Sequence, residues 1–454
     1  MRTSTAILIA LLAQGCSHET LPSADLVIRH ATLIDGTGSP PKADTTIVVH
    51  DGFIQQVGSG IVVEGRNEID ADGKWIVPGF VDVHMHFQES GGLYTRPDVY
   101  DLTEHFPFER EREAITSNIR STLARHLCAG VTTAIEVGGP GWTFEVRELA
   151  RSMDKAPMVY VAGPFVGFGE MQELWSEEDP SIVPVLSPDD TAPLIQKILG
   201  KQPDLIKIGY VSGSLNAFGA FAEAASAITH QAGLRLYAHT MGLEAAKIAV
   251  RAGVDTLVHS VYDQEVDDDF LQLAKDSDVT YAATAGLWDG YYEVLSQQRE
   301  LLPIEKVCGN SRSIQSWSDL ASIENPPPIA SYLEDVTEVN QRTLVNLAKI
   351  HEAGINIATG SDAGNIGTLH GASLHREFQA MAEAGMQPLE IIVAATRNGA
   401  ETLSDDPDFG TVEPGKRADL LILSANPLDD IANAQSIETV IRGGIAFAQG
   451  ELTD

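Results

Sequence analysis

The stretch Gly79-Phe80-Val81-Asp82-Val83-His84-Met85-His86 carries two imidazoles two residues apart. On an extended strand, residues at that spacing project to the same side. Two neighbouring imidazoles suit a transition-metal ion such as zinc. Four further residues stand at or near the ends of later apolar runs. Asp204-Leu205-Ile206-Lys207-Ile208 sets a lysine inside such a run, where a charged and unpaired amine is costly. A partner or a chemical change must neutralise Lys207. Tyr237-Ala238-His239 and Leu257-Val258-His259 each close on histidine, and Thr359-Gly360-Ser361-Asp362 closes on aspartate. Taken singly, each has a plainer reading: a hydrogen-bonded core histidine, a lysine paired with a carboxylate, an aspartate capping a turn. Those readings would have to hold together at five separate strand ends, which favours a metal centre.

Positioning these residues requires a repeated strand–helix unit. Apolar runs at 80–84, 131–136, 158–162, 205–208, 236–239, 256–259, 280–283 and 355–360 give eight strands. Strands buried on both faces read as such near-continuous runs. Helical spacing fills the segments between. Leu243, Ala246 and Val250 share one face ahead of Ala252-Gly253, a helix end. The same Ala-Gly ending recurs at 129–130, 232–233 and 353–354, a glycine cap feeding the next strand. Lys207 to His239 is 32 residues and His239 to His259 is 20, one unit each. Eight units predict an α/β fold, a (β/α)8 TIM barrel whose site lies at the carboxyl ends of its strands. Insertions are expected at about 165–190 and 285–340. The second carries Pro326-Pro327-Pro328 and several aromatics and reads as a lid. Alternating apolar segments at both chain ends predict a small composite β-sandwich. The expected organisation is a targeting segment at 1–16, the composite domain at 24–76 plus 410–454, and the barrel at 77–409.

The order His-x-His, Lys, His, His, Asp on strands 1, 4, 5, 6 and 8 resembles the amidohydrolase superfamily. The stretches VPGFVDVHMHF, DLIKI, TGSDAG, HGASLHREFQAMAEAGMQPLEIIVAAT and GTVEPGKRADLLIL carry the likeness over nearly the whole chain from about residue 24. The branch it looks most like is imidazolonepropionase-like, with metal-dependent Xaa-Pro dipeptidases, carboxypeptidases and ochratoxin-hydrolysing amidases. The resemblance implies two divalent ions. His84, His86 and Asp362 would hold the first, His239 and His259 the second, with Lys207, carboxylated by CO2, bridging them. It also implies a bridging hydroxide as nucleophile and Asp362 as the proton carrier. Zinc suits the histidine-rich set first; manganese, cobalt or iron also fit.

Secondary candidates surround this set. Tyr210, three residues after Lys207, is expected above the site as a donor to substrate, or else as a packed surface aromatic. His370 is expected near the pocket, and His375 with Glu377 on a helix surface. Arg96 and His105, in the loop after the first strand, are weak substrate contacts. Relatives often carry Arg-Asp after the second strand, but here the stretch is Thr133-Ala134-Ile135-Glu136. Glu136 reads as an ion-pair member, a substrate contact or a replacement bridge, with Lys207 preferred for the bridge.

The expected activity is hydrolysis of an amide or peptide bond in a dipeptide or N-acyl amino acid. The first alternative is a mononuclear deaminase or cyclic-amide hydrolase using His84, His86, His239 and Asp362. The alternative of another class is a catalytically silent binding or scaffold lipoprotein. It conflicts with all six ligand positions being filled.

Composition narrows the partners. The 64 acidic against 30 basic residues leave a formal charge of −34, which repels phosphate backbones and argues against nucleic acid. With 43% hydrophobic and 21% charged residues, wholesale disorder and a multi-span membrane protein are excluded. Three cysteines cannot build a dense disulfide framework. The amino terminus has a single early charge, Arg2, then the apolar run Ala6 to Ala13, too short to span a bilayer. That is the pattern of a secretory signal. Ala13-Gln14-Gly15-Cys16 resembles a bacterial lipobox with Cys16 as the lipidated residue. Ser17 after it points to a periplasmic, outer-membrane lipoprotein.

Overall fold

The computed structural model describes residues 24–172, 175–176, 178–328 and 330–453. The targeting segment with Cys16 lies outside the described residues. No helix among them is long and apolar enough to cross a membrane.

Barrel strands form where the apolar runs were predicted. Phe80–Met85, Val131–Glu136 and Met158–Val161 pair in parallel as one sheet. Leu205–Tyr210, Arg235–His239, Thr256–Val258 and Thr280–Ala282 pair in parallel as another. The two sheets join where Asp204 N donates to Val161 O at 2.9 Å. The eighth run closes the ring without becoming a regular strand. It bridges Tyr281 at Ile357, and Val83 N donates to Thr359 O at 2.9 Å. Its pairing with the first strand continues past the left-handed Asp362 (φ 51°), where Asp362 N donates to His84 O at 2.8 Å and His86 N donates to Ala363 O at 2.9 Å. Inside the ring, Leu205 and Tyr237 pack with Val81, Val83, Val258, Ala282 and Ala358. Their neighbours Ile206, Ile208, Leu236 and Ala238 face outward into the core shared with the helices. This is the two-sided burial that the continuous apolar runs require.

Strand–helix alternation fails at two places, both near the barrel mouth. Phe165–Phe168 and Ile182–Val185 extend the sheet beside the end of the fourth strand. After the seventh strand come the helices Gly286–Leu295, Pro303–Cys308 and Ser311–Ser316, then Ala330–Glu352. These are the two expected insertions.

Both chain ends build one mixed sheet. Its order runs Ile445–Ala448, Ile437–Arg442, Leu420–Leu423, Trp75–Pro78, Ala24–Leu33, Lys42–His50, Phe53–Gly58, and Gly65–Asp70 pairs with Ala24–Leu33. Its core includes Leu26, Ile28, Leu33, Ile47, Ile76, Leu420 and Ile422. Trp75–Pro78 leads directly into the first barrel strand and pairs antiparallel with Leu420–Leu423. The sheet is thereby anchored to the strand that carries His84 and His86. Cys128 and Cys308 form a disulfide across 180 residues, which tethers the second insertion to the helix Ile119–Cys128.

Candidate metal-dependent active site

Six residues predicted from strand ends line one cavity of about 360 Å³: His84, His86, Lys207, His239, His259 and Asp362. The His84 and His86 Nε2 atoms lie 3.2 Å apart. Asp362 Oδ1 is 3.4 Å from His84 Nε2 and 3.3 Å from His86 Nε2. Asp362 Oδ2 is 3.6 Å from His259 Nδ1. The His259 ring stands 4.6 Å from that of His84 and 4.4 Å from that of His239.

Burial decides the charge of most of these groups. It holds His84 and His239 well below the usual imidazole range and takes His259 down to about 3. Their ring nitrogens therefore keep lone pairs free at neutral pH. His86 is the exception: burial opposes its charge, but Asp362 and Glu136 push it up to about 10. Burial would raise Asp362, but the surrounding imidazoles hold it well below the usual carboxylate range. Burial pushes the Lys207 amine down to about 7 against the pull of Asp362 and Glu136. Lys207 makes no ion pair among the described residues.

The donor set fits divalent cations. Ligand atoms of His84, His259 and Asp362 all lie within 4.8 Å of one another. Buried imidazole nitrogens facing one another with a carboxylate between them lack enough protons to satisfy each other, whereas a cation satisfies them all. The backbone is strained to achieve this. His259 (φ 70°), Thr284 (φ 50°) and Asp362 (φ 51°) end successive strands in the left-handed region. Thr284 Oγ1 meets His259 Nδ1 at 3.1 Å.

A second layer holds the first. Glu136 places Oε1 3.3 Å from His86 Nδ1 and accepts from Phe87 N at 2.5 Å and Gly138 N at 3.1 Å. Both its oxygens are engaged, so Glu136 orients His86 and is not free to act as a bridge. Asp82 accepts from His84 N at 3.2 Å, Ser361 N at 3.0 Å and Ser361 Oγ. It thereby pins the Asp362 turn to the first strand. Gly364 (φ 115°) permits the chain to pass this point, since a Cβ there would come within 2.6 Å of Glu89 Cβ.

Several secondary expectations are corrected. Tyr210 does not line the cavity. Three residues from Lys207, it falls on the opposite face of the strand. Its ring packs 5.1 Å from that of Phe218, and its hydroxyl donates to Gly213 O at 2.9 Å. His370 lies behind the site, its Nε2 2.9 Å from His86 O and its ring stacked on Phe87. It supports the first strand rather than a substrate. His375 and Glu377 are buried, not on a helix surface, and His105 is exposed away from the cavity. Arg96, in contrast, does line the cavity, held by Asp98 at 2.8 and 2.7 Å and by Asn365. Gln88, Glu89, Tyr262, Trp288 and Tyr291 also line it. Sequence patterning missed them because they stand on loops and insertions without a period. The adjacency of Gln88 and Glu89 to the His-x-His run was the available signal.

The model of the amidohydrolase family matches residues 75–446. An imidazolonepropionase of Caldanaerobacter subterraneus subsp. tengcongensis is 24% identical, covering 84% of each chain. A dihydroorotase of the same organism is 41% identical over only 66 residues, 14% of this chain. That protein and several mycobacterial relatives are matched over just 10–15% of their own lengths. Among solved structures, a Xaa-Pro dipeptidase with methionine bound in its active site superposes with a TM-score of 0.71 at 23% identity, covering 93% of this chain and 99% of that one. The ochratoxinase of A. niger gives 0.70 at 20% identity, covering 94% and 96%. The chain belongs to the amidohydrolase family.

Proposed function

We propose that the protein hydrolyses the amide or peptide bond of a small substrate, of the dipeptide or N-acyl amino acid class, with two divalent ions, zinc first. The observation that carries this is the convergence of four imidazoles, one carboxylate and one buried lysine, its amine pushed down to about 7, in a single cavity. His84, His86 and Asp362 would hold one ion, and His239 and His259 the other. Lys207 would serve both as a carbamate. Its neutral amine adds to CO2, a nitrogen–carbon bond forms, and one N–H proton leaves to solvent. The resulting anion would suit a site that holds two divalent ions. Bound ions would supply Lewis acidity toward the substrate carbonyl and lower the pKa of water.

The chain's own residues do the remaining work. Asp362, kept ionised by the neighbouring imidazoles, accepts the proton of the attacking water and returns it to the leaving nitrogen. Glu136 fixes the His86 ring, and Asp82 fixes the turn bearing Asp362. The apolar walls exclude water around the scissile bond.

The mononuclear alternative has one observation in its favour: of the six cavity residues, just His84, His259 and Asp362 bring ligand atoms within 4.8 Å of one another. Counting ions separates the two readings. About two ions per chain, with hydrolysis in a dipeptide and N-acyl amino acid screen, supports the binuclear hydrolase. One ion per chain with unchanged turnover in Lys207→Ala removes the bridge. Absence of turnover across amides and esters in the loaded protein supports the silent scaffold.

Export is part of the proposal. The amino-terminal apolar run and the Cys16 lipobox support a periplasmic, lipid-anchored location. The Cys128–Cys308 disulfide fits an oxidising compartment.

A further inference from the structure

We propose that the cavity recognises a free, protonated amino group on its substrate, received by Glu89 and Gln88. This rests on the amide-hydrolase reading and narrows it: between dipeptides and N-acyl amino acids, the site takes the unblocked compounds.

The two acceptors are adjacent in sequence, buried, and line the metal-site cavity. Gln88 Nε2 donates to Gly138 O at 3.0 Å, which fixes the direction of its amide. Its Oε1 then has no donor. Glu89 directs Oε1 toward Arg96 at 3.6 Å, and its Oε2 likewise has no donor. Arg96 does not satisfy that oxygen, because it is engaged by both oxygens of Asp98 and by Asn365. Two carboxyl groups therefore share one guanidinium, and the cluster carries an excess of acceptor atoms. Native proteins rarely leave buried acceptors without donors, so their partner is to be sought in what enters the cavity.

An ammonium group is the matching ligand. It brings three donors and one positive charge, and no acceptor. A carboxylate or an acyl oxygen at the same place would set acceptor against acceptor. The wall also carries an apolar group, Val99, Val137, Phe165, Met171, Leu287 and Trp288, beside the polar Ser181, Tyr262 and Asn365. That wall suits an apolar side chain on the substrate. A water in the 20 Å³ void that also touches Glu89 would satisfy the same oxygen without a substrate, and the experiment below separates that case.

The test compares free and blocked forms in two readouts. Hydrolysis of leucyl-leucine and N-acetyl-leucyl-leucine is measured on zinc-loaded wild type and Glu89→Gln. Binding of leucine amide and N-acetyl-leucine amide to the same proteins is measured by calorimetry. The expected wild-type result is a preference for the free amine of at least about tenfold, the scale of a lost charge-assisted hydrogen bond. In Glu89→Gln that ratio is expected to shrink toward one. Equal handling of free and blocked compounds by wild type overturns the proposal, as does a preference that survives in Glu89→Gln. If no compound is hydrolysed, the amide-hydrolase reading fails and the calorimetric contrast still decides the amine site. If Glu89→Gln does not fold, the wild-type contrast alone decides.

Discussion

Glu136 and Lys207 differ in what they spend on their neighbours, and that difference assigns their roles. Glu136 has both oxygens committed, whereas Lys207 is buried with no carboxylate partner among the described residues. Under the proposed two-ion reading, a Lys207 carbamate would supply an anion between the ions. Glu136→Gln is expected to weaken metal binding about 10–100-fold through loss of the His86 orientation. Competition with a chelator measures this, and unchanged affinity would assign Glu136 a purely structural part. Lys207→Ala is expected to bind fewer than two ions per chain and to lose most of its turnover. The ligands were legible in the sequence because each stands on or just after an apolar strand, where local pattern fixes direction. Tyr210 was misread for the same reason inverted: its odd spacing from Lys207 turns it away from the cavity.

At the scale of elements, the site depends on how the eighth run and the lid helices are held. Asp82 ties Ser361 to the first strand, and Glu377, on the helix Leu374–Glu383, accepts from Gly286 N at 2.8 Å at the start of Gly286–Leu295. Burial raises the Glu377 carboxyl to about 8. Its folded pKa thus lies above its unfolded value of 4.5. Between those two values the folded state binds more protons, so stability falls as pH rises through that window. The slope is at most about 1.4 kcal/mol per pH unit. Glu377→Gln is expected to flatten it, so the variant gains on wild type between about pH 5 and 8. Urea unfolding at several pH values measures the difference, and parallel profiles would show Glu377 ionised throughout. Strand–helix units were readable from period and glycine caps. The eighth run was read as an ordinary strand because its sequence is apolar, yet it joins its neighbours through isolated bridges at Ile357 and Ala363 rather than a continuous ladder. The acceptors at Gln88 and Glu89 were unreadable as a site, since their orphaned atoms arise only when Gly138 and Arg96 fold against them.

At the scale of the whole molecule, both chain ends meet in one sheet joined to the strand of the His-x-His pair. The disulfide Cys128–Cys308 ties the lid insertion back to the barrel. Three cysteines gave no hint of which two would meet, because pairing across 180 residues depends on the closed ring. Replacing both cysteines by serine is expected to cost about 2–5 kcal/mol in chemical denaturation. An unchanged midpoint would deny the cross-link a stabilising part. The strong negative charge, −34 in all, makes a cation centre and an ammonium-binding wall consistent with the field of the whole protein. The most direct measurement is an anomalous difference map from zinc-loaded crystals, recorded on both sides of the zinc absorption edge. Two peaks are expected, one within reach of His84, His86 and Asp362, the other within reach of His239 and His259, with Lys207 extended by a carbamate between them. A map with no peak among these six side chains would contradict the metal-dependent hydrolase.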